Sequence, residues 1–139
     1  MASWVEVEAA APEFAVRVRE LFQARKHNTM AALRADGSPR ISGIETQFGE
    51  HVTFGSMTGS RKSADLARDS RVALHSPSVD PPEDDPGAWV GEAKIAGRAV
   101  ATEDGFRVDI AEVVLTYLSG GLVVESWHPG RGHERRVRA

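Results

Sequence analysis

The chain contains no cysteine, which excludes disulfides, thiolate metal sites and a cysteine nucleophile. It has no apolar run of 18 residues, so a membrane-spanning helix is not expected, and Met1-Ala-Ser-Trp-Val-Glu does not read as a signal peptide. A basic excess is also missing. The formal net charge is −3 and the pI about 5.9, which argues against a general nucleic-acid binder and confines any anion site to a local patch. Neither a Walker loop nor a G-x-G-x-x-G turn occurs. The five histidines follow no zinc spacing, and there is no H-E-x-x-H and no Ser-His-Asp set. What remains is one domain of 139 residues, 41% apolar and 27% charged, expected to be cytoplasmic and large enough for a real core.

The most informative stretch is Phe54-Gly-Ser-Met-Thr-Gly-Ser-Arg-Lys62. A short apolar strand, His51–Phe54, runs into small and hydroxyl residues, then two cations, then the helix-like run Ser63–Arg68. This order suits a phosphate. Small residues let the backbone approach, Ser56, Thr58 and Ser60 supply hydroxyl donors, and a helix start offers free N–H groups at a positive dipole end. Arg61 and Lys62 add charge-assisted contacts. A charged helix start with nothing bound is the plainer alternative.

Around it the chain reads as mainly β with a few helices. Residues 12–25 open with Pro-Glu and place Phe14, Val18, Leu21 and Phe22 on one face, predicting an amphipathic helix that packs on a sheet. Asn28–Leu33, the turn Asp36-Gly-Ser-Pro39, Arg40–Phe48, a turn at Gly49-Glu50 and His51–Ser56 predict a three-strand meander. Gly43 inside the second strand marks either a bulge or close approach to a ligand. Arg71–Ser76 is a further strand, in which His75 has a structural role. Residues 77–87 carry four prolines and four acids and form a solvated loop. Ala88–Ala101 is a long strand. Phe106–Leu118 fits both periods: Phe106, Val108 and Ile110 alternate, yet Phe106, Ile110, Val113, Val114 and Tyr117 also share a helical face. Its β-branched content favours strand. Ser119–Gly121 turns the chain into a last strand, Leu122–Trp127, and residues 128–139 form a basic tail, either solvated or capping an anionic cofactor.

Several of these segments, in order, resemble the pyridoxamine 5′-phosphate oxidase-like proteins, the FMN-binding split β-barrels. They are Asn28-Thr-Met-Ala-x-Leu through Asp36-Gly-x-Pro-Arg-Ile-Ser42, Gly59-Ser-Arg-Lys62, Arg71-Val-Ala-Leu74, Gly97-x-Ala99 and Glu125-x-Trp127. The resemblance covers about residues 27–127. It implies a six-stranded antiparallel split barrel and a homodimer with FMN in clefts between subunits. It places Ser42, Gly43 and Ile44 beside the flavin ring, Ser56, Met57, Ser60, Arg61 and Lys62 at the phosphate, and Trp127 against the partner subunit's cofactor. Glu92 falls where relatives hold a polar residue near the flavin. The tail lacks the Arg-x-His and Arg-Arg-Leu-Ala-Pro of the true oxidases, which points away from pyridoxamine phosphate as substrate. The expected activity is flavin-dependent hydride transfer to or from a small organic molecule, with no catalytic side chain singled out and no metal. The alternatives are a deazaflavin coenzyme in place of FMN, or a non-catalytic flavin or tetrapyrrole carrier.

Overall fold

The structure, a computed structural model, describes residues 1–57 and 59–138. The longest strand, β7, spans Gly105–Leu118, and the sheet is built about it. Its first half pairs with β4 (Val52–Gly55) and its second half with β8 (Leu122–His128). Along its other edge lies β6 (Glu92–Ala101), followed by β5 (Arg71–His75), β1 (Asn28–Leu33) and β2 (Pro39–Ile44). A short β3 (Thr46–Phe48) borders β4, and β9 (Gly132–Arg138) borders β8. Every pairing is antiparallel, as expected of a mainly β chain.

The double periodicity of β7 has a specific cause. Its pairing with β6 jumps from Ala96–Glu112 to Gly97–Ile110, so Ala111 is an extra, bulged residue. Phe106, Val108 and Ile110 are buried before the bulge, and Val113, Leu115 and Tyr117 after it. The three-residue step from Ile110 to Val113 imitates a helical turn, but it is the phase slip of a bulge. Gly97 is required opposite it, because a Cβ there would sit 1.9 Å from the Asp109 carbonyl oxygen.

Two helices precede the sheet. The first, α1 (Trp4–Ala10), is absent from the sequence-based expectation; Ser3 caps it, accepting from the Glu6 N–H at 3.3 Å, and Trp4 and Val7 are buried. The second, α2 (Pro12–Phe22), carries the expected apolar face of Phe14, Val18, Leu21 and Phe22 into the core, each full burial contributing about 1.5–3 kcal/mol. It ends three residues before the expected 25, where Asn28 Nδ2 donates to the Phe22 carbonyl at 2.8 Å. The buried Asn28 also accepts from the Thr46 amide and hydroxyl. The chain therefore breaks between β2 and β3, where one continuous strand to Phe48 was expected.

Among the described residues the sheet has nine strands against the six implied by resemblance, partly because of this break and partly because of the tail. Residues 132–138 are not a solvated tail; they pair with β8 along their full length. The His128–Arg131 turn returns the chain, and β9 forms a sheet edge that carries the exposed Arg135, Arg136 and Arg138. Residues 77–87 contain no strand. Among the described residues no helix is long and apolar enough to cross a membrane.

Candidate cofactor site

The segment from β4 to α3 (Arg61–Arg68) folds as its composition predicts, strand then loop then helix. Ser60 is the N-cap: its hydroxyl accepts from the Ser63 amide at 3.1 Å. Ser56, Ser60 and Ser63 hydroxyls converge, with Ser60–Ser63 at 3.0 Å, Ser56–Ser60 at 3.3 Å and a close Ser56–Ser63 contact. The hydroxyls expected at a phosphate are thus gathered at the helix start, here bonded to one another. Thr58, the third expected donor, lies outside the described residues. Met57 is almost fully exposed.

Beside this helix start opens a cavity of about 680 Å³, within the range of small-molecule sites. Gly43 and Ile44 line one side, at the end of β2, and Lys62 reaches it from the first turn of α3. A Cβ placed on Gly43 meets nothing within 4 Å among the described residues, so neither a bulge nor close strand packing demands glycine there. Space over a glycine backbone is what a planar ring needs to lie against a strand. Gly55 and Gly105, paired across β4 and β7, form another part of the wall, above the stacked rings of Phe54 and Phe106, whose centroids are 5.6 Å apart.

The residues predicted from sequence divide clearly. Gly43, Ile44 and Lys62 come together at the cavity. Ser42 and Arg61 do not line it; Arg61 stands exposed on the neighbouring helix surface. Ser56, Ser60 and Met57 sit in the loop that feeds α3. Trp127, expected to reach a partner's cofactor, is 5% exposed and packed in the core of its own chain on β8, its indole Nε1 buried without a hydrogen-bond partner among the described residues. Glu92 lies away from the cavity and pairs with His75 Nε2 at 2.9 Å and Lys94 Nζ at 3.6 Å, while His75 Nδ1 meets the Ser76 carbonyl at 2.6 Å. His75 is held as a structural residue.

Sequence reasoning missed several lining residues: His27, Glu45, Gln47, Thr53 and Asp104. Glu45 Oε1 has His27 Nε2 at 3.5 Å and Lys26 Nζ at 3.8 Å. Only the turn glycine Gly105 facing Gly55 could have hinted at this wall, and that pairing is not visible along the chain.

No protein-family model matches the sequence, and no curated protein matches it. Solved structures do. A pyridoxamine 5′-phosphate oxidase-related, FMN-binding protein from Nostoc punctiforme superposes with a TM-score of 0.61 at 11% identity, covering 100% of this chain and 98% of that one. The fold is therefore a split β-barrel. PhzG from Burkholderia lata 383, solved with tetrahydrophenazine-1-carboxylic acid, gives a TM-score of 0.61 at 13% identity over 96% of this chain and 90% of its own. A heme-binding protein from Mycobacterium smegmatis gives 0.58 at 16% identity, over 87% of this chain and 56% of its own. Split barrels with different bound molecules share this architecture, so the cavity must be read from its own residues.

Proposed function

We propose that this protein binds FMN in the cavity beside α3 and transfers hydride between the flavin and a small organic substrate. The observation that carries the reading is the meeting of Gly43 and Lys62 at one cavity: open glycine backbone for a ring on one side, a cation at a helix start for a phosphate on the other. Bound flavin would supply the hydride chemistry. The chain's own residues bind and orient it. Lys62, with Arg61 next to it, offsets phosphate charge; the backbone of Gly43 and Ile44 bounds the ring; Phe54 and Phe106 close the apolar floor.

A homodimer belongs to this reading. The face of the sheet turned away from the core carries Ala31, Ile41, Ala73, Ala96, Val114 and Val124 interspersed with polar residues such as Lys94 and Glu112, and Ile41 is 75% exposed. A second copy of the chain would cover the apolar part of that face. A deazaflavin coenzyme is the second reading, favoured by one feature: Arg131, Arg135, Arg136 and Arg138 are exposed on β9 and its turn, where they could meet an anionic side chain.

The deciding experiment is an absorbance scan of freshly purified protein before and after adding FMN, followed by gel filtration. Flavin bands that travel with the protein, and that vanish in the Arg61→Ala/Lys62→Ala double variant, are expected. A colourless protein that takes up deazaflavin but not FMN would replace the first reading with the second. Normal flavin content in the double variant would overturn the site.

A further inference from the structure

The two halves of the cavity belong to elements that do not pair with each other: β2 carries Gly43, and α3 carries Lys62. One buried side chain joins them. Asp65, only 4% exposed, accepts from Arg40 Nε of β2 through Oδ2 at 2.5 Å and from Arg68 Nη2 of α3 through Oδ1 at 2.9 Å. Arg68 Nη2 also donates to the Leu33 carbonyl at the end of β1, at 2.8 Å. The helix is thus tied to β2 through the Asp65 carboxylate and to β1 through Arg68, whose guanidinium the same carboxylate holds.

The spacing gives this tie a consequence for the site. Asp65 follows Lys62 by three residues, one helical turn, and Arg40 precedes Gly43 by three residues on β2. Fixing Asp65 to Arg40 therefore fixes the turn that carries Lys62 relative to the stretch that carries Gly43. Leu66, 2% exposed, is the apolar anchor of the same helix, but an apolar contact resists sliding less than a directional bond between charged groups. Arg68 and then Arg40 hold the Asp65 carboxyl below its ordinary range, consistent with a carboxylate that stays ionised between them.

We propose that Asp65 is a positioning residue of the cofactor site, which sets the distance between the phosphate-binding helix and the strand beneath the ring by bridging Arg40 and Arg68. This rests on the reading of the cavity as a flavin site. It follows that Asp65 acts on ligands that span both halves and not on those that use one. FMN needs the helix and the strand in register; riboflavin, lacking the phosphate, needs only the strand and the floor.

The test compares Asp65→Asn with the wild-type chain in two measurements: titration with FMN and with riboflavin, and amide hydrogen exchange without added ligand. Asp65→Asn is expected to lower FMN affinity about tenfold, since small misplacements of binding groups have effects of that order or more, and to leave riboflavin affinity within about twofold. Exchange should quicken in 61–68 and 39–44 while β8 is unchanged. Equal loss for both ligands, unchanged FMN affinity, or unchanged exchange in α3 would overturn the proposal. A wild-type chain that takes up neither ligand would instead remove the flavin reading, and the exchange data would still decide whether Asp65 anchors the helix. If Asp65→Asn does not fold, Arg40→Lys, which keeps the charge but not the Nε donor, is expected to show the same selective loss in milder form.

Discussion

Tyr117 of β7 donates its hydroxyl to Oε2 of the buried Glu125 on β8, at 2.5 Å. The other oxygen, Oε1, accepts from His133 Nε2 of β9 at 2.7 Å. From the helix side, the Arg17 guanidinium lies 3.7 Å over the Tyr117 ring and Phe14 packs on the His133 ring at 5.1 Å. A carboxyl group taken from water is tolerated here because donors from two neighbouring strands satisfy both its oxygens. Tyr117→Phe should therefore cost about 1–3 kcal/mol, the penalty of leaving a buried acceptor short of a donor. Urea unfolding of the two proteins measures it, and an unchanged midpoint would show that Glu125 does not depend on this bond.

Two strand glycines make opposite predictions. At Gly97 a Cβ would collide with the Asp109 carbonyl, and backbone on both sides of the bulge would have to move. Gly97→Ala is expected to destabilise the chain by about 3 kcal/mol, near the upper end for overpacking. At Gly43 a side chain has open space. Gly43→Leu should leave the thermal midpoint nearly unchanged while filling the volume above the strand and abolishing FMN uptake. Thermal melts with a flavin titration separate the two effects; retention of FMN by Gly43→Leu would place the ring elsewhere.

Acid should weaken the fold through a small set of carboxylates. Asp69 is held down to about 2 by its side-chain hydrogen bonds with Arg71. Asp65 is lowered by Arg68 and then Arg40, and Asp36 by Ser38. A carboxyl whose folded pKa lies below its unfolded value of about 4 contributes stability that is complete above that value and lost as pH falls through the folded one. The melting temperature is expected to be level above about pH 5 and to drop steadily towards pH 2. Asp69→Asn should shrink that drop, and a melting temperature that stays level down to pH 2 would contradict the assignment.

Much of the site was legible because it rests on local chemistry. The run Phe54–Lys62 announces strand, loop and helix through its own small residues and through a serine cap bonded three residues ahead, and the structure keeps that order. Gly43 marked itself as a strand glycine, and the open space over it shows why glycine is permitted there. The strand assignments of β1 and β5 and the apolar face of α2 follow from local sequence.

What the tertiary structure decided are relations between residues far apart in the chain. Nothing near Glu45 announces a break; it appears because Asn28, 18 residues earlier, claims the Thr46 amide. The tail reads as a solvated basic segment by composition, yet it becomes β9 because His133 finds a buried carboxylate on β8. Trp127 matched a motif by spacing, while the register of β8 turns its ring into the core. Asp65 carries no distinguishing mark in the sequence, and only the fold brings Arg40, 25 residues away, to its side. Local sequence determines which conformation each segment prefers, because caps, turns and periodicity act over a few residues. Register and burial decide which side chains meet, because those energies exist only once distant strands are paired.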